Sequence, residues 1–329
     1  MKTQLSHVSF LQTFGILLVV LGHSFYRFSA DYPVIRWIYG FHMPLFFFIS
    51  GYLLRYTHAD LRSMRLWGRG AFLNRKAQRL LVPYVLISSL VFVPKALMSQ
   101  YAVRPIHLSL HDYLDMLLYP YHNVLGAYWF LPTLFLIFTL FLLLGKAAQK
   151  FNIKLNAWQA TSLFFFANML IVFHHESVLN LLGVIHFIFY FALGYAFRGS
   201  ALEHHISRQR PIPLLLLTLA FSILMLATPH FNLKEQLTAL NGILLSIALG
   251  RIYEMKGCTF LNHLYGHTYT IYLFSGLFQI LSLQVLLHFV SLPPHLFIPL
   301  AFVTGVYGPW LIDRIKAHCT SQREFTPKG

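Results

Sequence analysis

Acidic residues are scarce in this chain: ten Asp and Glu stand against 25 Lys and Arg among 329 residues. Charged residues amount to 11%, where a soluble domain carries about a quarter. Ten carboxylates cannot furnish a soluble surface of this size, so the solvent for most of the chain is lipid. Cysteine is nearly absent too. Cys258 and Cys319 are the two present, which excludes a disulfide framework and a cysteine-based metal cluster. The chain has no GxSxG elbow, Walker loop or GxGxxG fingerprint, so the usual motif arguments for hydrolase, phosphate-loop and dinucleotide chemistry do not apply. No internal repeat or low-complexity tract is visible. The first apolar stretch lacks the basic flank and small-residue cleavage site of a signal peptide.

What the chain has in quantity is apolar sequence, 57% of its residues. Runs of about 20 apolar residues can cross a hydrocarbon core of ~30 Å. Ten such segments are expected, at 6–27, 36–56, 79–98, 123–145, 158–174, 178–197, 211–228, 234–250, 265–288 and 293–312. Alternating ten-residue strands are lacking, so a barrel is excluded. The expected fold is an all-α polytopic membrane protein with about ten transmembrane helices. It would form one membrane domain over residues 1–315, followed by a short tail, 316–329, on the cytoplasmic side.

Lys and Arg set the orientation. With the N-terminus inside, twenty of the 25 fall in inner segments and five in outer ones. Both termini are then cytoplasmic. The net charge of +15 expresses this topology and is scattered over short loops, unlike the footprint of a nucleic-acid-binding protein. All ten acids lie in loops or at span ends in this reading. An ion-coupled carrier commonly keeps a carboxylate near the membrane midplane, and its absence weighs against that class.

Histidines behave differently. In LLVVLGHSFY, His23 lies about four residues below the outer end of the first span, roughly 6 Å. In GFHMPLFFFISGYLL, His42 lies about six residues below the outer end of the second, roughly 9 Å. Trp129 in AYWFLPTLF falls at a similar depth. Desolvation favours neutral imidazole, the form a general base requires. The alternative for either histidine is a plain interhelical hydrogen bond. The stretch RYTHADLRSMRLWGRGAFLNRKAQRLLVPY is basic, with Arg62, Arg65 and Arg69 at helical spacing and Arg75 and Arg79 one turn apart. It is expected to lie as an interfacial helix with Leu61, Leu66 and Trp67 toward lipid. Topology explains most of these charges. A second account is a docking surface for a polyanionic nucleotide, since Arg forks onto phosphate. HHES at 174–177 lacks a third metal ligand at a recognisable spacing, and His186 is intramembrane without an assigned role. Ser50-Gly51 reads as a small-residue packing site. The longest outer loop, 99–122, holds Tyr101, Arg104, His107, His111, Asp112 and Tyr119, polar and aromatic groups of the kind sugars favour.

Taken in order, FLQTFGILLVVLGHS, FHMPLFFFISGYLL, NRKAQRLLVPY, YWFLPTLF, HFIFYFALGYAF and GHTYTIYLFSGLF resemble the acyltransferase family 3 membrane proteins. Within that family the pattern is similar to that of the bacterial O-acetyltransferases of surface polysaccharides. The resemblance covers nearly the whole chain and is strongest in the first 85 residues. It implies transfer of an acyl group, usually acetyl, from acyl-CoA to a hydroxyl of a cell-envelope glycan or sugar-lipid, in a bacterial cytoplasmic membrane. It implies no permanently bound cofactor and no metal. It makes His23 the catalytic histidine, as base or as covalent relay, with His42 beside it, ranked first among the groups that could support the reaction. Arg75, Arg79 and Arg69 would hold the donor's phosphates, and Gln12, Ser50 and Trp129 could lend hydrogen bonds. Two positions depart from the family pattern. Gln12 stands where Arg or Lys is frequent, eleven residues before the histidine, and Ser275 where a histidine often ends the GHTYTIYLFS-type segment. They keep a catalytically inactive partner in glycan assembly as an alternative. A glycan or small-molecule transporter is the other, although Pro44, Pro83, Pro94 and Pro132 do not form the paired broken helices of such carriers.

Overall fold

The computed structural model describes residues 2–25, 32–58, 65–101, 105–154, 156–171, 176–229, 231–289 and 293–324. Every regular element among them is helical. The α-helices are α1 (Lys2–Ser24), α2 (Pro33–Tyr39), α3 (His42–Thr57), α4 (Phe72–Leu97), α5 (Leu110–Leu118), α6 (Phe130–Lys150), α7 (Ala157–Leu170), α8 (Leu181–Phe197), α9 (Ala201–Arg208), α10 (Pro211–Ala227), α11 (Lys234–Met255), α12 (Thr268–Phe289) and α13 (Pro294–Glu324). Short 3-10 turns at Pro120–His122, Gly126–Trp129 and Val178–Asn180 lead into α6 and α8.

The all-α expectation holds among the described residues, while the expected count of ten spans is matched there only in part. Six stretches of the described residues are long and apolar enough to cross a membrane: Ser6–Ser24, Pro33–Thr57, Phe72–Leu97, Gly126–Lys150, Val178–Phe197 and His295–Lys316. A seventh arises if α9 and α10 count as one span, bent by 105°. Helix α7 has 14 residues, short of a full crossing at 1.5 Å per residue, and α10 with 17 is at the lower limit of one. Helix α11 is long enough, but Lys234, Glu235, Gln236, Asn241, Arg251 and Glu254 dilute its apolar content.

Local sequence explains the breaks. Pro211 opens α10 at a position where its missing N–H costs nothing, and the residue before a proline avoids the helical region. Ser109 caps α5 by accepting the Asp112 N–H, Asn156 and Gln159 close a capping box on α7, and Ser200 caps α9.

The chain divides into two compact units, one of residues 1–46 and 210–329, the other of residues 47–209. In the first, Asn241 on α11 donates to the Thr218 carbonyl at 3.0 Å and to Ser222 Oγ at 2.8 Å, both on α10. Gly242 accepts the Phe41 ring, which a Cβ there would meet at 2.1 Å. On α12 and α13, Asp313 accepts from Thr270 at 2.8 Å and lies 3.0 Å from His267 Nδ1. In the second unit, α3 and α8 touch backbone to backbone. A Cβ on Gly51 would lie 1.9 Å from the Phe191 carbonyl oxygen, and one on Gly194 would lie 1.9 Å from that of Phe48. Ser50-Gly51 is thus part of a small-residue contact of the membrane type.

Because neither carbonyl can move without unwinding its helix, Gly51→Ala and Gly194→Ala are expected each to destabilise the protein by about 1–3 kcal/mol. Thermal unfolding in detergent checks this, with Gly145→Ala, whose new methyl meets nothing within 4 Å, at least as stable as the wild type.

Candidate active site

His23 stands in the last turn of α1. It is half-buried, and it has no hydrogen-bond partner among the described residues. A base needs its lone pair free, and here nothing described occupies it. Eleven residues make three turns with about 20° to spare, so Gln12 shares the His23 face of α1, roughly 16 Å along the helix.

The turn that carries His23 is held from α12. Gln279 is 3% exposed, and its Nε2 donates to the Val20 carbonyl at 2.9 Å and to Ser24 Oγ at 3.0 Å. Ser24 in turn donates to the same Val20 carbonyl at 2.8 Å. The amide therefore brackets His23 with one contact on each side in sequence. Gly305 on α13 leaves room for it, since a Cβ there would meet Val20 at 2.8 Å and Gln279 Cγ at 2.9 Å. Ser275, the position that departs from the family pattern, is buried one helical turn before Gln279. Gln279 escapes sequence reasoning because a lone amide in an apolar run does not reveal its partner.

His42 lies in the same unit and is 4% exposed. Its Nδ1 is 2.9 Å from the Ile38 carbonyl. A carbonyl only accepts, so Nδ1 carries the proton in the neutral ring and Nε2 is left as the acceptor. Tyr39 bridges the two histidine-bearing helices. Its ring meets the His42 ring edge-on with centroids 5.2 Å apart, and it fills the notch at Gly22, where a Cβ would lie 3.2 Å from Cζ and 3.3 Å from the hydroxyl. Tyr39 is a second residue that the sequence did not single out.

The other named residues belong to the second unit. Arg69, Arg75 and Arg79 are all exposed. Arg75 donates to the Gly70 carbonyl, which fixes the loop to the first turn of α4. That loop is not the interfacial helix expected from the arginine spacing, in its described part. Gly68 and Gly70 take φ of +112° and +70°, values that end a helix, and the chain folds back with Leu73 N–H donating to the Leu66 carbonyl at 3.0 Å. Leu66 is buried as a result, while Trp67 remains 51% exposed. Leu61 and Arg62 lie outside the described residues.

Lys76 is the cation that turns inward. Its ammonium sits 4.2 Å from the Phe138 ring centre and 5.2 Å from that of Phe72, with no carboxylate partner among the described residues. His58 stacks edge-on against Phe72 at 5.2 Å. Burial pushes its imidazole below the ordinary histidine value, and the charges of Arg75 and Lys76 push the same way. The start of α4 is thus a positively charged patch of Arg75 and Lys76, beside Arg79 one turn on, with His58 held toward its neutral form next to it. The spacing of Lys76 and Arg79, three apart on a helix, was the available signal for Lys76.

Trp129 closes a 3-10 turn and stacks on Tyr121 at 4.9 Å and on Phe187 at 5.3 Å. Phe187 also stacks on Phe47 at 4.7 Å. Ser50 is half-buried on α3 next to the Gly51 contact. His186 is explained by Asn168, whose amide donates to its carbonyl at 2.7 Å and lies 3.2 Å from its Nδ1. Glu203 gathers Tyr52 at 2.6 Å, Arg198 at 3.1 Å and the Gly199 N–H at 2.6 Å, a structural knot that ties α9 to α3. His174 and His175 of the HHES stretch, and Arg104, lie outside the described residues. Among the described residues no cluster of three metal-ligating side chains occurs.

An apolar helical frame, a histidine at the end of its first helix with no hydrogen-bond partner among the described residues, and a cationic start to α4 define a membrane protein with acid–base capacity. The family model of the acyltransferase domain, acyltransferase family 3, matches residues 7–314. The chain belongs to that family and is a membrane acyltransferase. No curated protein and no solved structure matches it.

The two histidines should differ in reactivity. With diethyl pyrocarbonate and mass-spectrometric mapping of the intact protein, His23 is expected to be carbethoxylated well before His42, which is buried and tethered through Nδ1. Equal rates would contradict the environments described.

Proposed function

We propose that this protein is an O-acyltransferase that moves an acyl group, acetyl in the first instance, from acyl-CoA to a hydroxyl of a cell-envelope glycan or sugar-lipid. Its place would be the bacterial cytoplasmic membrane, with both termini inside. The observation that carries the reading is His23, without a hydrogen-bond partner among the described residues, in a chain of this family. Its imidazole would take the proton of the acceptor hydroxyl as that oxygen attacks the thioester carbonyl. The new C–O bond forms as the C–S bond breaks, and the proton passes from imidazole to the departing CoA thiolate. His23 acts here as a base; a covalent acyl-imidazole would need a separate activator for the second step.

Around this step the remaining residues take supporting roles. Gln279 and Ser24 keep the His23 turn in register, which matters because small misplacements of a catalytic group are costly. His42 presents Nε2 as an acceptor, suited to orient the acceptor hydroxyl. Ser50 and Trp129 stay as candidates for hydrogen bonds to substrate. Arg75, Lys76 and Arg79, with Arg69 on the adjoining loop, would hold the donor's phosphates as charge-assisted partners. Gln12 keeps a hydrogen-bonding group on the His23 face but brings no charge, so the phosphate contacts are assigned to the start of α4 and its adjoining loop.

Envelope glycan from cells making matched amounts of wild-type protein or His23→Ala tests the reading, with ester-linked acyl groups measured by mass spectrometry. Loss of the base is expected to lower transfer by about 10²–10⁴-fold. Equal acylation would make His23 structural, and no acylation by either form would favour the inactive-partner or transport readings. Separately, Lys76→Met is expected to weaken acetyl-CoA binding to the purified protein by about tenfold, the cost of one charge-assisted contact.

A further inference from the structure

The segment between α4 and α6 does not behave as an external loop. Helix α4 is an apolar 26-residue span, about 39 Å long. Its exposed side chains Val82, Leu86, Leu90, Val93 and Leu97 form one stripe that runs to its end. Helix α5 packs beside the middle of this span. Tyr84 donates to the carbonyls of Met116 and Leu117, both at 3.0 Å, and Ser89 meets the Tyr113 hydroxyl at 2.9 Å. Tyr84 is thirteen residues short of Leu97, or roughly 20 Å. The chain passes the end of α4 and comes back alongside it.

Such a return is possible in lipid only if the irregular backbone is paired or lines a polar cavity. Much of it is paired here. Besides Tyr84, Lys95 donates to the Val124 carbonyl at 3.2 Å, and Asn123 reaches Ser88 at 2.8 Å while accepting the Leu125 N–H at 2.9 Å. On α5 itself, Leu110, Leu114 and Leu118 form an exposed apolar stripe. Asp115 falls about 100° round the helix from the centre of that stripe. Its Oδ2 is 2.7 Å from His122 Nδ1, with the two side chains 33% and 41% exposed. Tyr119 stacks on the His122 ring at 5.5 Å. A half-exposed carboxylate at this depth is not tolerated against hydrocarbon, so this flank must face a polar space.

We propose that residues 105–129 form a re-entrant segment in which the Asp115–His122 pair, with Tyr119 beside it, docks the hydroxyl-rich ring of the sugar acceptor. The proposal rests on the acyl-transfer reading above and names the acceptor subsite of that reaction. Chemistry selects the ligand class. The carboxylate accepts from one hydroxyl, the imidazole Nε2 engages a neighbouring one, and the flat Tyr119 ring lies next to them, a combination that suits a polyol ring and not an acyl chain or a phosphate. By the Lys and Arg distribution the segment opens to the outer side, where a glycan acceptor arrives. The sequence pointed to this loop and to Tyr119, but not to the pair itself, because Asp115 and His122 are seven residues apart across a helix end.

Three measurements on the full-length protein test this. Asp115→Cys and Leu114→Cys, each made in a Cys258→Ser, Cys319→Ser background, are exposed in intact cells to a membrane-impermeant maleimide. Labelling at 115 and none at 114 is expected. Labelling at both would make the segment an ordinary external loop, and labelling at neither would place the pair away from any polar space; either overturns the proposal. In the wild-type chain, carbethoxylation of His122 is followed with and without methyl glycosides of glucose, galactose, mannose and rhamnose. Slowing by at least one of them is expected, and no protection by any overturns the sugar assignment, independently of whether acyl transfer is detected. Where transfer is measurable, Asp115→Asn is expected to raise the acceptor KM by about tenfold, with kcat and acetyl-CoA binding retained. A fall in kcat at unchanged KM would instead make the pair part of the chemical step.

Discussion

A side-chain amide with no water in reach has to find its hydrogen-bond partners inside the protein, and this chain joins its helices through that requirement. Asn241 links α11 to α10, Asn168 links α7 to α8, Asn123 fixes the approach to α6 against α4, and Gln279 links α12 to α1. Lipid-facing surfaces offer little hydrophobic driving force for association. Packing and these amides therefore set the register between neighbours. In a hydrocarbon solvent the same groups that specify the fold also fix the height of each functional side chain.

The Gln279 bridge shows how the two tasks merge. It satisfies an amide donor and, in doing so, holds the backbone on both sides of His23 while the imidazole itself bonds to none of the described residues. His42 shows the reverse arrangement, with its own ring tethered by the Ile38 carbonyl and one acceptor nitrogen defined. One histidine is positioned through its backbone and the other through its ring. That division fits a reactive base accompanied by an orienting acceptor. At the other unit's basic patch, Arg75 is engaged with the Gly70 carbonyl while Lys76 rests on aromatic faces, so charge is concentrated without a neutralising carboxylate among the described residues.

Much of this was legible in the residues. Long apolar runs and few acids announced a helical membrane protein, and the order of motifs from FLQTFGILLVVLGHS to GHTYTIYLFSGLF pointed to the family that the match over residues 7–314 establishes. The span count was less legible than the helical character, because apolar composition alone does not tell the 14-residue α7 from a full crossing. Arginine spacing after span two suggested a helix, yet Gly68 and Gly70 with positive φ override it. The placing of Asp115 in an external loop followed from its local sequence; only the contacts of Tyr84 and Ser89 bring it beside α4. Gln279, Tyr39 and Lys76 share the same reason for being missed, since each has its meaning in a partner distant in sequence or on another helix.

The reciprocal glycine contact between α3 and α8 also has a consequence for biosynthesis. Arg55 and Tyr195, which bond across the same pair of helices, are 140 residues apart in the chain. At typical elongation rates of about 5–20 residues per second, α3 waits about 7–28 s for its partner to be made. During that time the groove at Gly51 faces lipid or the insertion machinery with a bare strip of backbone. Helices made in the interval, α4 and α6 among them, can rest there before α8 arrives. The depth of the notch is then a sorting device, because only a helix with its own glycine at the matching height can close it to backbone contact.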